Sequence, residues 1–111
     1  MPATILREAI SIQQYSNRLI RLVTDEIESI RGEVLAELKR NDPTLVAGSK
    51  RVARIEKFLK QIDGVINLAF ERALKILEKE LISFGLKVNE AEARALVGRV
   101  RKEIKAQSVE E

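Results

Sequence analysis

Five cations crowd into one short stretch of this sequence: Lys50, Arg51, Arg54, Lys57 and Lys60, with Glu56 as the acid among them. Steps of three and four residues place most of them on one side of a helix. Cations arranged this way can meet phosphates or the acidic surface of a partner. The plainer alternative is a solvated face whose long stems cover neighbouring apolar surface. The helix dipole works against the placement, because positive charge at a helix N-terminus is mildly unfavourable. A second basic group, Arg94, Arg99, Arg101, Lys102 and Lys105, lies near the end of a later helix, where the dipole favours it. No aromatic side chains interleave with it to stack on bases, so sequence-specific reading is not expected.

The inventory for catalysis is thin. With no histidine and no cysteine, the commonest general base and the thiolate nucleophile are both missing. Metal sites of the His/Cys type are excluded, and no carboxylate spacing matches a calcium loop. Glu78, Glu80, Glu90 and Glu92 flank a helix stop and a helix start, where capping and solvation explain them. Ala47-Gly48-Ser49-Lys50 echoes the last residues of a phosphate-binding loop but lacks the earlier glycine and the preceding strand. No catalytic residue, metal or cofactor is assigned, and the expectation is a binding protein rather than an enzyme.

The elements that carry these charges are helices. Val52, Ile55, Leu59, Ile62, Ile66, Ala69, Ala73 and Ile76 alternate in steps of three and four without an intervening proline. That is the seam of one continuous helix over about 49–84. Gly85, in Ser83-Phe84-Gly85-Leu86, is placed to end it in the left-handed conformation. Before it, Ile12, Tyr15, Leu19, Val23, Ile27, Ile30, Val34 and Leu38 form an apolar stripe with a mean spacing of about 3.7 residues, close to an undistorted helix. This predicts a helix over about 4–40. Asn41-Asp42-Pro43-Thr44 breaks the chain, with Asn41 suited to a left-handed cap. Asn89-Glu90-Ala91-Glu92 has the form of a capping box opening a third helix over about 90–105. No strand pattern is visible.

The expected fold is therefore all-α, a single helical domain over 1–111. Its shape is an elongated antiparallel hairpin of two long helices, forced by the short connection, with a shorter third helix against it. A compact chain of this length would have a radius of gyration near 14 Å, which rods of about 50 Å exceed. Phe58, Val65, Leu68, Phe70, Leu74 and Leu81 add apolar surface off the main seam, and so thin a bundle must cover that surface with something. Self-association or a protein partner is expected, with Ile55, Leu59, Ile62, Ile66 and Ile76 as the interface set.

Composition bounds the setting. Apolar residues make up 45%, charged residues 33% and aromatics 4% of the 111 residues, values of a folded chain rather than a disordered one. The net charge of +3 is mild. No apolar run approaches the roughly 20 residues of a membrane span. Met1-Pro2-Ala3-Thr4 lacks a signal peptide's basic and apolar regions, so a cytosolic origin is expected.

Three segments together carry a resemblance. They are Pro2–Ile10 leading into Gln14-Tyr15-Ser16-Asn17-Arg18-Leu19; Arg54–Asp63 leading into Ala69-Phe70-Glu71-Arg72-Ala73; and Leu77–Leu81 followed by Glu90–Leu96. In this order they resemble the N-terminal helical region of tailed-phage minor head proteins, the head-morphogenesis family. The resemblance implies a structural virion component, made in the host cytoplasm and packaged at the head interior or portal. Its implied partners are portal or capsid protein and its own copies, with non-specific DNA contact. In that family further domains follow this region, so the resemblance implies a fragment or a stand-alone version. It transfers no catalytic residue.

Overall fold

A serine sets the start of the first long helix. Ser11 accepts from the Gln14 amide through its hydroxyl, and the Gln14 side chain accepts from the Ser11 amide, a reciprocal cap that opens α1 (Ile12–Asn41). The structure, a computed structural model, describes residues 8–110, the side chains of residues 60, 61 and 108–110 excepted. Three more helices follow among the described residues: α2 (Lys50–Gln61), α3 (Asp63–Ser83) and α4 (Glu90–Glu110). The fold class is all-α. In place of the expected hairpin of two long helices and a third, the described residues form four helices.

The first correction is at the start. The helix expected from residue 4 begins at Ile12; residues 4–7 lie outside the described part, and Glu8–Ala9 form a short strand, β1. It pairs in parallel with β2 (Leu86–Lys87), Glu8 opposite Leu86 and Ala9 opposite Lys87. The Glu8 amide donates to the Gly85 carbonyl and the Ile10 amide to the Lys87 carbonyl, each at 2.9 Å. Two connecting segments that lack helical partners thus satisfy each other's backbone groups. This contact between distant parts of the chain leaves no period in the sequence.

The second correction matters more. The rod expected over 49–84 is two helices, divided at Ile62, whose backbone is extended at φ −76° and ψ 120°. Asp63-Gly64 comes directly after it. Both are poor helix formers, and aspartate is favoured in a first turn, where its charge faces the dipole. The apolar spacing runs through the break without a change of step, so periodicity alone hides it. The remaining bounds shift less. Asn41 is helical rather than left-handed, the cap residue Asp42 is extended, and α4 continues past 105 to Glu110. Gly85 does take the left-handed conformation, at φ 65°, and Asn89 caps α4 by accepting from the Glu92 amide at 3.0 Å.

α1 and α3 run antiparallel: Arg18 near the start of α1 pairs with Glu80 near the end of α3, and Glu33 further along α1 pairs with Arg72 further back. Their contact is the main core. Leu19 and Val23 of α1 and Ile66, Ala69, Phe70 and Ala73 of α3 are essentially sealed from solvent. α4 closes the third side with Ala93, Leu96 and Val100. A separate small cluster of Leu35, Leu45, Val52 and Ile55 ties α2 to the far end of α1. The molecule measures 63 × 31 × 18 Å with a radius of gyration of 17.6 Å, elongated as its helix lengths require. Truncating Phe70 to alanine should cost about 3–5 kcal/mol in urea denaturation, whereas Phe84→Ala, at an exposed position, should stay within about 0.5 kcal/mol.

Candidate functional site

α2 is where charge concentrates. Its twelve residues hold five cations and one acid, a net of +4, while the whole chain totals +3, so the remainder carries −1. Gly48, at φ 81°, turns the chain so that the Ser49 hydroxyl accepts from the Val52 amide and caps the helix. Val52 and Leu59 face inward and are buried. Lys50, Arg54 and Lys57 lie on the opposite side and are exposed.

Arg51 is separated from this row. Its guanidinium reaches Asp42 at 3.3 Å and donates to the Thr44 hydroxyl, also at 3.3 Å. The hydroxyl and amide of Thr44 donate to the Asp42 carboxylate, holding it below the usual carboxylate range, with Arg51 adding to the effect. Among the described residues Arg51 is the one cation of the run in an ion pair. The Lys60 side chain lies outside the described part. Among the described residues Lys50, Arg54 and Lys57 form no ion pair, and Glu56, the acid of α2, is half-buried.

The expected interface set is placed within the chain's own packing. Leu59 and Ile66 are buried, Ile55 packs on the small cluster, and Ile62 and Ile76 pack half-buried against the main core. Most of the off-seam apolar residues are also absorbed: Val65 and Phe70 are buried, and Leu68, Leu74 and Leu81 pack on the core. Phe58 is not. It is 63% exposed, one turn after Arg54 and next to Lys57 on the outer surface of α2.

A second exposed apolar area lies at the other end of α3. Ile82 is 54% and Phe84 73% exposed. Ile82 borders an open groove of about 560 Å³ between the end of α3, β2 and the start of α4. Leu74, Leu81, Val88 and Val97 line it, with Glu78, Lys87, Glu90 and Arg94 also on its wall. Tyr15 reaches it from α1, and burial pushes its phenol above the usual range. These side chains supply apolar contact and mixed charge but no paired base and nucleophile. Among the described residues no three carboxylates converge as metal ligands. No helix of the described part is long and apolar enough to cross a membrane. Comparison with known proteins found no matching family model, curated protein or solved structure.

The second basic group serves the fold in part. Arg101 lies over the Phe70 ring, 5.0 Å from its centroid, and the Lys105 ammonium is 3.5 Å from Asp63. Glu80, expected to be a solvated helix-end acid, instead accepts from both Nε and Nη2 of Arg18. Arg18 thereby holds the Glu80 carboxyl below its ordinary value. A depressed carboxyl contributes stability that is complete above the ordinary carboxylate range and is lost as pH falls through the lowered value. Glu80→Gln should therefore lower stability at neutral pH by no more than about 1 kcal/mol, the scale of exposed ion pairs. It should also lose less than the parent chain between about pH 7 and about pH 3, which denaturation at the two pH values measures.

Proposed function

We propose that this chain is a structural protein of a phage particle, a minor head or portal-associated component that acts by docking its helices rather than by catalysis. The resemblance to the N-terminal helical region of tailed-phage minor head proteins supplies the setting: host cytoplasm, then the head interior or portal region. The observation that carries the docking reading is the apolar end of α3, where Ile82 stands exposed on the edge of the groove and Phe84, two residues on, is exposed as well. Large exposed apolar side chains flanking an apolar groove with charged groups on its wall are the usual composition of a protein contact. The partner this reading names is portal or capsid protein, or a second copy of the chain. The interface set expected within 55–76 moves to this end, because those residues pack inside the chain.

A second reading has its own support. The positive excess of the whole chain stands on α2, with Lys50, Arg54 and Lys57 exposed and in no ion pair among the described residues. That favours a small nucleic-acid-binding accessory protein using this face.

The docking reading is tested by sedimentation or light scattering of the purified chain, alone and with portal protein. Complex formation or self-association is expected for the parent chain. The Ile82→Asp, Phe84→Asp double variant should keep its helical circular dichroism and lose the association. A parent chain that stays monomeric and ignores portal and capsid protein removes the reading.

A further inference from the structure

The outer face of α2 combines two features that separate in most basic surfaces. Lys50, Arg54 and Lys57 form an exposed row one or two turns apart, about 10 Å long at 1.5 Å per residue, and none of the three is in an ion pair among the described residues. Phe58 sits next to Arg54 and Lys57 with most of its ring in water. Val52 and Ile55 of α2 belong to the small cluster and Leu59 is buried, so Phe58 adds nothing to the core that would explain its position. An isolated exposed aromatic is ordinary, but this one stands on the helix that holds the positive excess of the chain.

We propose that this face binds single-stranded nucleic acid, with Lys50, Arg54 and Lys57 on successive phosphates and Phe58 as the platform on which a base stacks. The inference rests on the nucleic-acid reading above and narrows its ligand. A row of this length faces about three phosphates. In a duplex the base faces are already stacked inside, so Phe58 would gain only sugar and phosphate contact. An unpaired strand offers its base faces, and stacking on an aromatic ring is tolerant of base identity. With Lys50, Arg54 and Lys57 on phosphates and Phe58 on a base face, none of the four is left to read a base edge, so binding is sequence-tolerant.

The test is fluorescence anisotropy of labelled oligothymidylate of roughly 20 nucleotides, longer than a common site, against a duplex of the same length and polyglutamate as competitor. For three phosphates on a single strand, the slope of log affinity against log salt is about −2, or a loss of roughly tenfold to twentyfold between about 50 and about 200 mM. Phe58→Ala should weaken single-strand binding about tenfold while leaving that slope unchanged. Arg54→Glu should flatten the slope. Phe58→Trp, the sole tryptophan in a chain that has none, should retain binding and show quenched fluorescence when the strand is added. Circular dichroism confirms that each variant is folded.

Duplex binding as tight as single-strand binding, with Phe58→Ala affecting neither, overturns the single-strand inference and leaves the nucleic-acid reading standing. Equal competition by polyglutamate overturns it in favour of an acidic protein surface. No binding of either nucleic acid at about 50 mM salt overturns both.

Discussion

How closely α1 approaches α3 sets the depth of the core and the arrangement of the other helices. Ala69 and Ala73 sit on successive turns of α3 with no exposed area, and α1 brings Leu19 and Val23 into the same cluster, equally sealed. Small side chains lower the surface of one helix so that larger ones on the other fill the space, which is ridge-into-groove packing at interior density. Phe70, one of few aromatics, fills the remaining volume beneath α4, with Arg101 over its ring. The core is deep there and shallow elsewhere. With a shortest dimension of 18 Å, the molecule holds about two layers of helices at their usual 8–10 Å spacing, so every helix keeps an outer face.

The interruption at Ile62 distributes those faces. A straight rod from Lys50 to Ser83 would present one seam to α1 throughout. Division at a single extended residue lets α3 keep the main contact while α2 takes a different line, covering Leu35 with Leu45 and Val52. Asp63, freed from a helix interior, becomes the first residue of α3 and lies near Lys105 of α4. The outer face of α2 is left to solvent, and it includes the basic row and Phe58. The charge is placed by the sequence, but its presentation depends on the break.

At the opposite end the constraint is backbone satisfaction. The segment before α1 and the segment after α3 each carry amides and carbonyls with no helical partner. Two residues of parallel pairing join them. Gly85 makes this feasible by reversing the chain in the left-handed conformation, which costs a glycine little. The Arg18–Glu80 pair lies on the same end of the α1–α3 contact, while Ile82 and Phe84 project beyond it. That end therefore combines a tied backbone with uncovered apolar side chains.

Helical periodicity is legible throughout, because buried positions recur every three or four residues whatever the partner. It yields the all-α class, the stripe of α1 and the seam carrying Ile66, Ala69 and Ala73; residue type adds the glycine stop at Gly85 and the Asn89 cap. Two of the boundaries that differ carry local signals: Ser11 and Gln14 form a capping box, and Asp63-Gly64 marks a helix boundary. An unbroken apolar spacing masks the second, whereas the stripe of α1 itself starts at Ile12, directly after the Ser11 cap. The basic run Lys50–Lys57 is likewise plain from residue types. Which apolar residues stay exposed is not legible, since Phe58, Phe70 and Phe84 look alike in one dimension. Exposure depends on where other helices lie, and α4 covers Phe70 while nothing in the described chain covers the other two. Composition and spacing determined the helices and the location of charge; contacts between residues far apart in the chain decided the break's consequences, the strand pair and the faces left open, because burial is a property of neighbours in space.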